Sequence, residues 1–371
     1  MAQNRDHSYQ FNHFGETVFP AASFCAKAER QKNTRGSVPV KALICATALA
    51  LAAATPALAD CDDGEVVIKF SHVVAEKGHP KGEMAAALAE RINDEMDGKA
   101  CMQVFPNSQL YDDDKVMEAL LLGDVQIAAP SLSKFGAYTR KLGLFDLPFL
   151  FQDLAAVDRF TESDAGKSLL TSMQDVGYIG LGYINNGLKQ FSADKPLLTP
   201  SDAKGLKFRV QTSDIAQAMI EALGANAQKL AFNEVYGALQ QGVVDGQENT
   251  YTNIYTQKFF EVQDGITETN HQILTYFAVT TDEFLDSLDD ETREQFLSIF
   301  KAVSDEYNAK SAQLNEEAKQ AIIDAGGTIR TLTPEQRQQW VDAMKPVWAE
   351  FEDEIGKDLI DAAVAANNGG A

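Results

Sequence analysis

"EALLLGDVQIAAPS", residues 118–131, and "GALQQGVVDGQENT", residues 237–250, decide the fold. Both read Ala-Leu-x-x-Gly-x-Val, starting at Ala119 and Ala238. In each, a helical run stops at a glycine, the residue that most readily takes the left-handed backbone of a helix end, and a strand-like run follows. Strands alternating with helices build parallel α/β units. The same passage occurring twice points to two lobes of similar build. Aligned on the echo, Asn249 matches Pro130, with Ser131 beside it. Both positions fall at the carboxyl end of a strand, where open α/β sheets bind ligands.

Outward from these segments the alternation continues. Residues 66–73 are almost wholly apolar, as in a strand covered on both faces. A helix is expected over 81–96, with Met84, Leu88 and Ile92 at four-residue spacing, then a strand over 102–105 and a helix over 113–122. A second block supplies strands at 178–184, 206–210, 227–232 and 242–249. The helix between the last two has Asn233 as its expected N-cap and Gly242 as its stop. Residues 289–325 read as one helix ending at Gly326-Gly327, roughly 55 Å long at 1.5 Å per residue, so it should run across both lobes. A last helix opens at Thr333-Pro334-Glu335-Gln336, which combines a capping box with Pro in the first turn.

The 371-residue chain has room for two cores. Residues 41–59, "KALICATALALAAATPALA", follow a basic stretch and end in Ala57-x-Ala59, the pattern of a secretory signal peptide. Its apolar run is too short to span a bilayer. Cleavage is expected between Ala59 and Asp60, with export to the periplasm. The polar leader before it is longer than such peptides need, which suggests a later translation start. Residues 1–59 hold six of the 32 cations and three of the 54 acids, leaving a net charge of −25 on the exported chain. Nucleic acid is excluded as a natural partner, because phosphate binding needs a basic face.

Cys61 and Cys101 alone remain after cleavage, each at the start of a strand-like run. An exported pair reads as a disulfide joining neighbouring parallel strands, against the alternative of two reduced, buried thiols. The three remaining histidines, His72, His79 and His271, show no metal-ligand spacing, so neither a metal nor a cofactor is expected. There is no Gly-x-Ser-x-Gly elbow. "AGKS" at 165–168 resembles a phosphate loop, but Thr161 stands where its first glycine belongs. An enzyme is therefore disfavoured.

What remains is a polar set in the second block. "GLKFRVQ", residues 205–211, places Arg209 in a strand with Leu206, Phe208 and Val210 on its other side. Arg209 is either a solvent-facing strand cation or the fork that grips a carboxylate. Asn186 and Lys189 follow a strand in "NNGLKQFSA", Phe232 stands in "LAFNEVYGALQ" and Asn249 in "VDGQENTYTN". Singly, each has an ordinary reading: a solvated lysine, a core ring, a turn residue.

Together with "SHVVAEKGHPKG", "FPNSQLYDDD", "APSLSKF", "DAKGLKFRVQ" and "NIYTQKFFEVQ", these segments are similar, in order over residues 65–355, to the solute-binding subunits of tripartite ATP-independent periplasmic (TRAP) transporters. The resemblance is greatest to the C4-dicarboxylate binders. It implies a periplasmic binding protein fold, two α/β lobes around a ligand cleft with a long lobe-spanning helix. The expected division is 60–186 plus 275–314 for lobe 1 and 187–274 plus 315–371 for lobe 2, after a 1–59 leader.

The resemblance further implies that Arg209 pairs with the substrate carboxylate, that Asn249 supports it, that Phe232 walls the pocket and that Lys189 lies at the site. His72, Ser131 and Asn186 complete the candidate set. Sialic-acid members carry Arg where this chain has Lys189 and Glu where it has Pro130, which argues against that ligand. The implied partners are a small carboxylate such as succinate, malate or fumarate and the membrane permease, with the receptor a monomer. The alternatives are a receptor for a 2-keto or aromatic acid, a sensor subunit or an exported enzyme.

Overall fold

The computed structural model describes residues 61–369; the expected leader, signal peptide and cleavage after Ala59 lie outside them. Among the described residues eleven strands occur in chain order: β1 Val66–Ser71, β2 Ala100–Phe105, β3 Ile127–Ala128, β4 Tyr178–Leu188, β5 Gln190–Ala193, β6 Lys207–Val210, β7 Asn226–Lys229, β8 Gly246–Asn249, β9 Gly265–Glu268, β10 Ile273–Thr281 and β11 Ile329–Thr331. They form two mixed sheets, ordered β2-β1-β3-β10-β4 and β11-β9-β5-β8-β6-β7. β1 runs parallel to β2 and β3, and β6 parallel to β7 and β8. The carboxyl ends of each parallel set therefore share one edge.

The repeated sequence is a repeated structure. Its two helices, Val116–Leu121 and Val235–Gln240, correspond residue for residue across the two segments. Gly123 (φ 73°) and Gly242 (φ 68°) follow them in left-handed conformation. In the first, Gly123 N–H bonds Leu120 O and Asp124 N–H bonds Ala119 O; in the second, Gly242 bonds Leu239 O and Val243 bonds Ala238 O. This paired pattern satisfies carbonyls a helix end otherwise leaves open. Asn233 is not the cap. A 3-10 turn, Phe232–Glu234, precedes the second helix, and Glu234 Oε2 accepts from Ala231 N at 3.2 Å.

The long helix spans Asp290–Asp324, its first turn capped by Asp289, whose side chain accepts from Thr292 N. Phe296, Ile299, Phe300 and Val303 pack into the core of the first sheet with Met84, Leu88 and Ile184. Ala318 and Ile322, further along, pack with Phe259 and Ile266 of the second. The helix thus bridges both lobes.

The chain crosses between sheets at Lys189, joining β4 to β5, and returns through 269–272, joining β9 to β10. These crossings touch: Lys189 N donates to Gln272 O at 2.7 Å. Trp340 and Met344 lie in the core around Phe191 and Phe208, whereas Ile355, Ile360 and Ala363 of the last two helices share a core with Leu142, Phe145 and Phe160. Cys61 and Cys101 form a disulfide, and Cys101 pairs with Val67 across the parallel β1–β2 ladder, the neighbourhood expected from the sequence. Among the described residues no helix is long and apolar enough to cross a membrane.

Candidate functional site

The carboxyl ends of β1, β3, β6 and β8 converge on a narrow cavity, at the strand ends where open α/β sheets bind ligands. Val73, Val74, Asp113 and Lys134 line it from the first lobe; Arg209, Gln211, Phe232, Asn249 and Asn253 line it from the second. Leu274 and Tyr276 of β10 close it.

Arg209 is only 1% exposed. Its Nε and Nη2 donate to Leu230 O at 3.1 and 2.8 Å, which anchors one edge of the guanidinium and leaves Nη1 and the second Nη2 hydrogen as a fork. Burial lowers its pKa to about 10, opposed by Glu248, Asp113, Asp114 and Glu234, so it stays charged near neutral pH. Asn249 Oδ1 accepts from Thr250 N at 3.1 Å and Asn253 Nδ2 at 2.6 Å, which leaves the Asn249 amide nitrogen as a donor. Phe232 stands edge-on to Phe259, 5.9 Å between centroids, and so forms a fixed wall. Of the seven candidates from the sequence, Arg209, Asn249 and Phe232 line the cavity.

The other four lie behind its walls. Ser131 Oγ donates to Gln211 Oε1 at 3.2 Å, holding a side chain that does line it. Asn186 Nδ2 donates to Tyr276 OH at 3.1 Å, and its Oδ1 accepts from Thr252 Oγ1 at 2.7 Å. Asn186 O accepts from Asn315 Nδ2 of the long helix at 2.7 Å, so the cavity wall is tied to the element that bridges the lobes. His72 is buried beside Val73 with neither ring nitrogen hydrogen-bonded. Burial, then the charge of Lys81, lowers its pKa to about 3, so the ring is neutral.

Lys189 sits in the interlobe crossing. Its ammonium lies 2.7 Å from Gln272 Oε1, 3.0 Å from Glu248 Oε2 and 3.3 Å from Gln211 Oε1. His271 Nε2 is 3.6 Å from the same Glu248 oxygen, with its ring stacked on Phe191 at 4.2 Å. Burial pushes Glu248 upward, but Lys189 and His271 outweigh it and hold the carboxylate below its usual range. The charge of Lys189 is neutralised within the protein.

Sequence reading missed Lys134, Gln211, Asp113, Asn253 and Tyr276. Lys134 Nζ contacts Asp114 Oδ1 at 2.7 Å and Thr212 Oγ1 at 3.0 Å, placing a second cation at the cavity while linking the lobes. Gln211 had a signal: it stands two residues after Arg209, on the same strand face. Tyr276 lies in a run of apolar strand residues that offers none.

A family model for bacterial extracellular solute-binding proteins, family 7 (DctP), matches residues 70–354. The C4-dicarboxylate-binding periplasmic protein DctP of Vibrio cholerae is 60% identical over 325 residues, covering 88% of this chain and 98% of that protein. Among solved structures, a TRAP periplasmic solute-binding protein from Shewanella oneidensis with bound succinate superposes with a TM-score of 0.80 at 52% identity, covering 82% of this chain and 99% of that one. One from Pseudomonas aeruginosa with bound L-malate gives a TM-score of 0.75 at 43% identity, covering 77% and 99%.

Proposed function

The chain belongs to the family 7 (DctP) bacterial extracellular solute-binding proteins, and we propose that it is the periplasmic receptor of a TRAP transporter that captures a C4-dicarboxylate and delivers it to the membrane permease. It is a binding protein, not an enzyme. The observation that carries the ligand class is the free guanidinium edge of Arg209 at a small cavity between the strand ends. Charge-assisted, paired hydrogen bonds in a site with little water are much stronger than surface ones.

Arg209 takes one carboxylate, with the Asn249 amide beside it. Lys134 is the cation available to the other, and Val73, Val74, Leu274 and Phe232 suit the short apolar link between them. Lys189, Ser131 and Asn186 act from behind, by holding Gln211, Tyr276 and the crossing strands, and His72 is a neutral ring buried behind the wall. The relatives' bound succinate and malate support this reading.

Further parts of the proposal are a monomer exported after cleavage at Ala59, and lobes at 60–186 plus 275–314 and 187–274 plus 315–344. The last two helices, grouped with the second lobe in the expected division, go with the first because their apolar residues share its core. A thermal-shift screen of organic acids tests the ligand class. Succinate, malate and fumarate should raise the melting temperature, and butyrate, with one carboxylate, should not. Stabilisation by a 2-keto or aromatic acid alone would favour the other receptor reading.

A further inference from the structure

We propose that binding of a dicarboxylate takes up one proton from solvent, held on the Asp113 carboxyl, which then donates a hydrogen bond to the bound acid. The inference rests on the receptor reading above. Asp113 lines the same cavity as Arg209 and Lys134 and is 8% exposed. Among the described residues it makes no hydrogen bond or ion pair, so its polar atoms are left to the cavity. The nearby cations are engaged elsewhere. Lys81 donates to Ala129 O at 2.7 Å and lies 3.7 Å over the Tyr276 ring, while Lys134 bonds Asp114 and Thr212 and keeps its third ammonium hydrogen for the ligand.

The charged groups that act on Asp113 are Lys81 on the Pro80–Glu95 helix, Lys134 on its turn, Arg209 on β6, and Asp112 and Asp114 on its own segment; Tyr276 faces it from β10. Lys81, Lys134 and Arg209 stand against Asp112, Asp113 and Asp114, so with Asp113 ionised the group carries no net charge. A dianion makes the group net negative, and a proton on Asp113 offsets one of the two added charges. Burial already shifts Asp113 upward against the pull of Lys81 and Lys134. The ligand's negative charge offsets that pull, and two carboxyl groups in one dry site cannot both stay ionised cheaply.

The test is calorimetric titration of the exported protein with succinate at about pH 7 in buffers of different ionisation enthalpy, where the slope of the heat gives the protons exchanged. The expected uptake is about one proton, with the dissociation constant rising about tenfold per pH unit above neutrality. Lys81, whose pKa burial lowers to about 8, is already mostly protonated at neutral pH and can add only the smaller part of a proton. In Asp113→Asn the uptake should fall to that residue and the pH slope should vanish. Succinate binding with an uptake below about 0.2 proton in the parent protein would overturn the inference. So would an uptake that survives in Asp113→Asn, which would assign the proton elsewhere. No binding of any C4-dicarboxylate would instead overturn the receptor reading itself.

Discussion

Arg209→Lys keeps the charge and removes the fork. In the parent protein Nε and Nη2 hold Leu230 O while the other edge faces the cavity. A lysine ammonium can serve the carbonyl or the ligand, not both in planar register. A carboxylate left under-bonded in a desolvated site costs roughly 3–5 kcal/mol when its partner is lost outright. With charge retained, the lower figure applies, which is about a hundredfold in dissociation constant at about 1.4 kcal/mol per decade.

Ligand-free stability should fall as well. A guanidinium lining a solvated cleft would leave the melting temperature unchanged when replaced. The burial of Arg209 against Leu230 O removes that expectation. Losing hydrogen bonds from a charged donor costs about 1.5–3 kcal/mol, part of which lysine recovers, and about 1 kcal/mol lowers the melting temperature by about 2 °C in a chain of this size. Calorimetry with succinate and differential scanning fluorimetry without it measure the two effects. Affinity within about threefold of the parent, less than 1 kcal/mol, would refute the reasoning and return Arg209 to the role of a structural cation.

Lys189→Gln leaves the Glu248 carboxylate buried without its ammonium and should cost roughly 3–5 kcal/mol in urea unfolding, with Glu248→Gln added to it recovering more than half, as coupled neighbours do. A loss of affinity without a loss of stability would make Lys189 a ligand contact instead. Because the folded pKa of Glu248 is held below its ordinary value of 4.5, the stability of this pair is present above that pH and lost as pH falls through the lower folded value; urea midpoints measured across that range should follow the loss. Reducing the Cys61–Cys101 bridge, which joins residues 40 apart, should destabilise the protein by up to about 4 kcal/mol in the chain-entropy model. Two alkylatable thiols in native periplasmic material would contradict the bridge.

Local chemistry made much of the fold legible. Gly123 and Gly242 end their helices where the repeated motif places them, and Asp289 and Gly326-Gly327 bound the long helix. Gly326 N–H bonds Ile323 O, and Gly327 N–H bonds Ile322 O. Arg209, Asn249 and Phe232 were legible because strand ends and family-like segments both mark them. The position of Lys189 was not: its partners Glu248 and Gln272 lie 59 and 83 residues away in sequence, and only the two interlobe crossings bring them together. Asn233 misled because Glu234, one residue on, reaches back to the Ala231 amide. Asp113 is one of three consecutive aspartates, and nothing in the run distinguishes the buried one from Asp112 and Asp114.

The most direct test of the central claim is a crystal structure of this protein with succinate. The account predicts a succinate carboxylate on the Nη1/Nη2 edge of Arg209, with nitrogen–oxygen distances of about 2.7–2.9 Å, and the guanidinium still bonded to Leu230 O. Succinate bound elsewhere, with Arg209 contacting only protein, would contradict it.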